Sequence, residues 1–187
     1  RILKPLKQGL NNFSKRQKSS LKILDVATGS GRTLKQLRGA FSKEKIIGLD
    51  LSGSYLKEAS RFISNLDGDL IELIKGNAEE LPFENSSLQA ISCVYLFHEL
   101  PRIVRENVLK EFFRVLEPGG VLVIADSIQI NDSPDFIEIM ENFHKSFHEP
   151  FYCDYIKEDI TSKIEEIGFN NIKSKSFFMT KVWSAIK

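Results

Sequence analysis

The sequence predicts an α/β fold, a doubly wound, mostly parallel seven-stranded sheet with an antiparallel last strand. Three observations carry that prediction. Short apolar runs at 21–26, 45–50, 70–75, 89–95 and 121–126 alternate with amphipathic stretches at 32–40, 55–66 and 102–116, the βα rhythm of a parallel sheet. Gly29 and Gly31 stand where the first apolar run gives way to the first amphipathic stretch, as a tight strand-to-helix turn requires. The last two runs, 172–178 and 180–186, are joined by a link of one residue. A parallel crossover needs a dozen or more residues, so these two strands form an antiparallel hairpin.

Each element has a local reason. Residues 1–20 are set apart as a lead-in, and the polar, basic stretch 11–20 reads as an exposed connector rather than a nucleic-acid arm. Residues 21–187 form one domain. The first helix opens directly from the glycines, and Ser52 or Ser54 caps the second. Pro118-Gly119-Gly120 ends the 102–116 helix sharply before its strand. A further helix at 157–167 stops at Gly168, and Asn170-Asn171 leads into the final hairpin.

Composition narrows the class. The chain has 187 residues, 42% of them hydrophobic and fourteen of them Phe, enough for a core without disulfide staples. A net charge of +1 gives no general attraction to nucleic acid, membranes or acidic partners. Cys93 and Cys153 sit in apolar and aromatic surroundings and read as buried thiols of a reducing, cytoplasmic compartment. No apolar run reaches the length of a membrane span and no signal peptide is visible. The chain opens at Arg1 rather than Met, which leaves open what precedes it. Oligomeric state is not legible.

The chemistry starts at Asp25-Val26-Ala27-Thr28-Gly29-Ser30-Gly31. The helix that follows aims its N-terminal dipole and free N–H groups at a ligand over the loop. Asp50, nineteen residues after Gly31, ends the second strand where ribose hydroxyls would lie. Asp25 decides the cofactor class. A dinucleotide would bring its pyrophosphate to this loop, and two like charges about 5 Å apart repel by roughly 3 kcal/mol at an effective dielectric of 20. The third glycine of a dinucleotide fingerprint is also replaced, by Leu34. A carboxylate suits a ligand bearing an amine or a sulfonium, and S-adenosylmethionine bears both.

These residues make the chain resemble the class I S-adenosylmethionine-dependent methyltransferases, in the type 11 branch that includes the ubiquinone/menaquinone C-methyltransferases. Asp25 to Gly31 resembles the first motif of that family and Gly48-Leu49-Asp50-Leu51-Ser52 the second. Gly76-Asn77-Ala78-Glu79-Glu80-Leu81-Pro82-Phe83 resembles its adenine segment, and 91–96 and 114–120 its fourth strand and the turn before the fifth. Ala27 stands for the first glycine and Asn77 for the usual aspartate.

The resemblance implies a Rossmann-like methyltransferase fold, S-adenosylmethionine as cofactor and S-adenosylhomocysteine as product. It also implies that the segment before the first strand forms a partial lid over the substrate. Cofactor-binding residues would be Asp25 at the cationic end, Ala27, Thr28, Gly29, Ser30 and Gly31 at the methionine moiety, and Asp50 at the ribose. Leu51, Asn77, Ala78 and Glu79 would surround the adenine, and Tyr95 would border the methionine end.

His98, just past the fourth strand, is the catalytic candidate. As a general base it would take a phenolic or enolic proton; the alternative, which the sequence favours, is that it shapes the acceptor pocket. Glu99 reads as a capping or ion-pairing acid. Phe136, Met140, Phe143 and Phe147 at helical spacing, followed by Phe151, Tyr152 and Tyr155, read mostly as core, with a planar or apolar acceptor pocket as the minority alternative. Glu141, His144 and His148 have metal-ligand spacing without a further strong ligand, so no metal is expected.

The reading is a methyltransferase acting at carbon or oxygen of a small aromatic or quinone-like acceptor, with no nucleic-acid partner. The alternatives are a non-catalytic S-adenosylmethionine-binding regulatory module and a nicotinamide-binding oxidoreductase. Asp25 and the missing third glycine disfavour the oxidoreductase.

Overall fold

The computed structural model describes residues 1–14, 21–64, 66 and 70–187, with the side chains of 12, 14 and 144–147 outside that description. Its strands are β1 (Lys22–Val26), β2 (Lys45–Asp50), β3 (Ile71–Lys75), β4 (Leu88–Val94), β5 (Leu116–Ser127), β6 (Asn170–Phe177) and β7 (Thr180–Ile186). Its helices are α1 (Leu3–Ser14), α2 (Arg32–Ala40), α3 (Gly53–Ile63), α4 (Arg102–Val115), α5 (Ile137–Phe147), α6 (Tyr152–Tyr155) and α7 (Ile160–Ile167). Short 3-10 turns at Phe97–Glu99 and Pro134–Phe136 complete the connections.

The sheet order is β3-β2-β1-β4-β5-β7-β6. β1 to β5 are mutually parallel, and β7 pairs antiparallel with both β5 and β6. The last strand therefore slots between β5 and β6, and β6 takes the edge. Phe178 and Met179 make the hairpin turn, with Phe178 in the left-handed region at φ 57°.

The strand order reverses between β1 and β4. In open α/β sheets a ligand crevice opens there, at the carboxyl ends of the strands. One face of the sheet packs on α1, α2 and α3 through Leu6, Leu34, Leu37 and Ile63 against Ile23, Ile46 and Val123. The other packs on α4 and α7 through Val108, Phe112, Ile160 and Ile164 against Leu24, Ile91 and Ile124.

Four boundaries and one segment differ from the sequence expectation. The 102–116 helix gives way at Leu116, whose backbone is already extended (φ −69°, ψ 139°) and whose buried side chain registers opposite Leu88. Pro118-Gly119-Gly120 thus lies inside the opening of β5 instead of ending the helix, with Gly119 at φ 86°. The helix expected over 55–66 is α3, capped by Ser52, whose hydroxyl accepts from the Tyr55 N–H at 3.3 Å. The helix expected from 157 starts at Ile160, because the Asp159 carboxylate accepts from the Ser162 N–H at 3.1 Å and fixes the start there. β6 starts at Asn170 rather than at 172.

Residues 3–14 are a helix, with Ile2, Leu6, Leu10 and Phe13 buried against the sheet. The start of the expected connector therefore belongs to α1, because its single apolar residue, Phe13, completes a helical stripe. Residues 15–20 lie outside the described residues.

Candidate active site

A cleft of about 800 Å³ opens over the carboxyl ends of β1, β2 and β4. It is lined by Ala27, Gly29, Ser30, Asp50, Leu51, Asn77, Ala78, Glu79 and Tyr95 from the sequence-predicted set. Ser52, Tyr55, Glu99 and the apolar Leu96, Leu100, Val104 and Val108 complete it. No lining residue comes from α1, which packs against β4, β5 and β7 away from the cleft.

The glycine loop is held from below and from the side. Asp25 is buried beneath it, one oxygen accepting from Thr28 Oγ1 at 2.7 Å and the other from Ser92 Oγ at 2.6 Å. Asp25 thus organises the first loop, as expected, but it is 1% exposed and does not line the cleft, which corrects the expectation that it also faces the cationic end of a ligand. Burial pushes the Asp25 carboxyl up to about 6, against the lowering effect of the Ser92 and Thr28 hydroxyls, and Asp50 adds to the rise.

Thr28 is likewise buried, its N–H donating to Leu49 O at 3.1 Å, and Gly31 donates to Thr28 O at 3.0 Å. Neither Asp25, Thr28 nor Gly31 lines the cleft. Gly29 and Ser30 do. A Cβ at Gly29 would meet nothing within 4 Å, so the backbone there faces open space at φ 54°. Ala27 takes the same left-handed conformation, φ 55°, where most members of the resembling family have glycine.

Leu34, in place of a third glycine, is buried. Gly48 makes room for it, since a Cβ at position 48 would come within 2.8 Å of Leu34 Cδ1. The α2–β2 contact that a glycine on the helix would permit is achieved by a glycine on the strand.

Asp50 bridges two loops, Oδ2 accepting from the Gly29 N–H and Oδ1 from the Ser52 N–H, both at 2.8 Å. Beside it, Leu51 and Tyr55 are 67% and 57% exposed, two apolar surfaces left uncovered within the cleft. Asn77 Oδ1 accepts from the Glu79 N–H at 3.0 Å, closing the loop by an oxygen that an aspartate would supply equally. Tyr95, at φ 56°, hydrogen-bonds Thr180 Oγ1 at 2.5 Å through its hydroxyl.

His98 stands beside the cleft. Its Nδ1 is 2.7 Å from Oδ1 of the fully buried Asp126, and its ring meets Tyr95, Tyr152 and Tyr155 edge-on at 6.1–6.3 Å between centroids. Asp126 also accepts from the Phe97 N–H at 2.8 Å and the Ser127 N–H at 2.7 Å. Burial opposes charge on His98, but the hydrogen bond and charge of Asp126, with Glu99 and Glu149, outweigh it and raise its pKa.

Glu99 lines the cleft, rather than capping a helix as expected. Burial raises its pKa; His98 opposes the rise, and Glu149, Asp126 and Asp50 add to it. Asp126 and Glu149 were missed in the sequence, whereas Tyr152 stood in the aromatic segment that the sequence places over the acceptor side. Asp126 alone had a signal, an acid at the end of a buried strand like Asp25 and Asp50. Met140 is buried and Phe136 and Phe143 pack on the core; the side chains of His144 and Phe147 lie outside the described residues.

The methyltransferase domain family matches residues 23–120, more than half of the chain. The chain belongs to that family. Demethylmenaquinone methyltransferases of Bacillus cereus (strain AH187) and Bacillus anthracis are 33% identical over 113 residues, 60% of this chain and 47% of theirs. The chain thus spans about half the length of these curated relatives.

Among solved structures, a putative methyltransferase of Bacillus halodurans superimposes with a TM-score of 0.66 at 18% identity, over 97% of this chain and 98% of that one. Phosphoethanolamine N-methyltransferase 2 of Haemonchus contortus, in complex with phosphomonomethylethanolamine and S-adenosylhomocysteine, gives 0.71 at 16% over 97% and 52%. The fold is that of the class I methyltransferases. Among the described residues no helix is long and apolar enough to cross a membrane.

Proposed function

We propose that this methyltransferase-family chain binds S-adenosylmethionine in the cleft and passes its methyl group to a small aromatic or quinone-like acceptor, at carbon or oxygen. The observation that carries the proposal is the joining of a glycine loop, a strand-end acid and an aromatic corner in one cleft that no Lys or Arg side chain lines. Such a cleft suits a sulfonium and offers no cationic side chain, among the described residues, to a pyrophosphate. A regulatory module would need the same loop but not the His98–Asp126 pair at its rim.

When bound, the sulfonium supplies a methyl group that an in-line nucleophile takes, leaving the thioether and releasing one acceptor proton. The chain's part is binding and orientation. Ala27, Gly29 and Ser30 present backbone to the methionine moiety, over a loop that Asp25, Thr28 and Gly31 brace. Asp50 accepts from the ribose hydroxyls, Leu51 covers one adenine face, and Asn77, Ala78 and Glu79 edge the base. Tyr95 borders the methyl group.

His98, its Nδ1 engaged by Asp126, turns its other nitrogen to the acceptor space and shapes that space. Cys93 and Cys153 are not joined in a disulfide, which supports placing the protein in a reducing, cytoplasmic compartment.

Turnover of methyl-labelled S-adenosylmethionine against a panel of phenols and quinols tests the proposal. With an active acceptor in hand, His98→Ala should raise the acceptor KM by about 10-fold, the loss of one hydrogen bond, with S-adenosylmethionine affinity unchanged. A fall in kcat with unaltered KM would instead make His98 a general base. Absence of transfer to every member of the panel would remove the aromatic acceptor class.

A further inference from the structure

Past the cofactor cleft, the fold brings together three side chains that the sequence holds far apart. His98 and Glu99 follow β4, and Glu149 lies in the segment between α5 and α6. A ring nitrogen of His98 and one carboxylate oxygen from each glutamate lie within 4.8 Å of one another. We propose that His98, Glu99 and Glu149 bind one divalent first-row metal ion, of the Zn²⁺ or Mn²⁺ class, at the acceptor end of the cleft.

Four features support the site. The first is distance. Ligands about 2.0–2.2 Å from one tetrahedral ion lie about 3.3–3.6 Å apart, so the three atoms need to draw together by up to about 1.5 Å, which exposed Glu99 can supply by rotating. The second lies behind the histidine. Nδ1 of His98 is held at 2.7 Å by buried Asp126. That fixes the ring and leaves Nε2 as the ligand nitrogen, the carboxylate–histidine–metal arrangement that orients and strengthens imidazole ligands.

Charge is the third. Among the described residues neither glutamate pairs with a Lys or Arg, so two carboxylates face each other with only an imidazole between them. A dication balances them. The fourth is the donor set: one imidazole and two carboxylates suit a borderline ion such as Zn²⁺ or Mn²⁺ better than a thiophilic one.

Three protein ligands leave positions open for water or for a donor from outside. Glu99 lines the cleft, so the open positions are reached from the acceptor space. An acceptor with an oxygen donor, such as a phenol, catechol or quinol, would bind there directly. That last step rests on the proposed methyl transfer; the ion site does not.

Calorimetric titration of the metal-free full chain with Zn²⁺ and with Mn²⁺, with and without S-adenosylhomocysteine, tests the site. The expected result is one saturable ion per chain, weakened at least about 100-fold in Glu99→Gln and Glu149→Gln, larger than or equal to the usual loss of an outer partner. S-adenosylhomocysteine should bind Glu149→Gln, whose residue does not line the cofactor cleft, as it binds the parent, which keeps failure of the ion site distinct from failure of the cofactor site. Mn²⁺ should also broaden the His98 ring signals in the unaltered protein, a readout that does not depend on any variant folding. No saturable binding, binding in either variant as tight as in the parent, or unbroadened His98 signals would each overturn the proposal.

Discussion

Arg105→Met should lower the unfolding free energy by about 3–5 kcal/mol, the cost of leaving a buried charge without its partner. Arg105 is 1% exposed and anchors α4 to the segment that follows α5. Its Nε donates to Glu158 at 2.5 Å, one Nη donates to Leu100 O at 2.5 Å, and the other pairs with Asp154. Its guanidinium also lies 5.9 Å from the Tyr155 ring centroid.

The Glu158 side chain is 4% exposed, so losing the guanidinium leaves a buried carboxylate with only the more distant Arg102, at 3.8 Å. Urea unfolding at neutral pH gives the difference directly. The double variant Arg105→Met/Glu158→Gln should recover part of the loss, because it removes the stranded charge. A single-variant loss below about 1 kcal/mol would show that the network contributes only as an exposed ion pair does. The same clamp carries Tyr152 and Tyr155, whose rings pack around His98, so loosening it should also disturb the acceptor end.

Asp25 gives the second large effect, and its sign is opposite to that of a paired surface acid. Its pKa rises from 3.8 to about 6 on folding, because burial disfavours the carboxylate. The stabilisation of the protonated form is complete below the unfolded pKa of 3.8 and is lost as pH rises through about 6. The two-unit rise corresponds to about 3 kcal/mol.

Asn at this position keeps the shape, accepts from one hydroxyl and donates to the other, and carries no charge. The stability of Asp25→Asn relative to the parent should therefore increase between pH 4 and 7 by about 3 kcal/mol and level off above. Asp154, Glu111 and Asp159, whose pKa values are lowered by Arg102, Arg114 and Ser162 respectively, titrate at lower pH and cancel in the difference. A pH-independent difference would mean that Asp25 is ionised at the bottom of the loop throughout.

The parallel part of the sheet was legible because its strands carry short apolar runs and each crossover has its own punctuation. The final hairpin followed from chain length alone, since a one-residue link cannot cross a sheet. The lead-in hid α1. Its four core contacts are spread over twelve residues among lysines and asparagines, and only the sheet surface they meet makes them a stripe.

Local motifs made the glycine-loop end of the cleft legible, since Ala27, Gly29, Ser30, Asp50, Leu51 and 77–79, which line it, sit in loops and at strand ends. Asp25 was found but its direction was not. The sequence places it at the end of a strand, whereas Ser92 on the neighbouring strand, 67 residues away, claims one of its oxygens. The acceptor end resisted for the same reason. His98 was visible, but its partner Asp126 is 28 residues distant and Glu149 lies farther still. Metal-ligand spacing drew attention to 141, 144 and 148, while the topology gathers 98, 99 and 149.

The most direct test of the cofactor cleft is a thermal unfolding titration with S-adenosylhomocysteine, with NAD in parallel, on the parent chain and on Asp50→Ala. At one hundred times its Kd the ligand should stabilise the parent by about 2.7 kcal/mol, and NAD should leave it unchanged. Asp50→Ala should weaken S-adenosylhomocysteine by about 1.5–3 kcal/mol, the loss of charge-assisted hydrogen bonds, through the ribose contacts and through release of Gly29 and Ser52. Stabilisation by NAD and not by S-adenosylhomocysteine would contradict the account, as would an Asp50→Ala chain that binds S-adenosylhomocysteine as tightly as the parent.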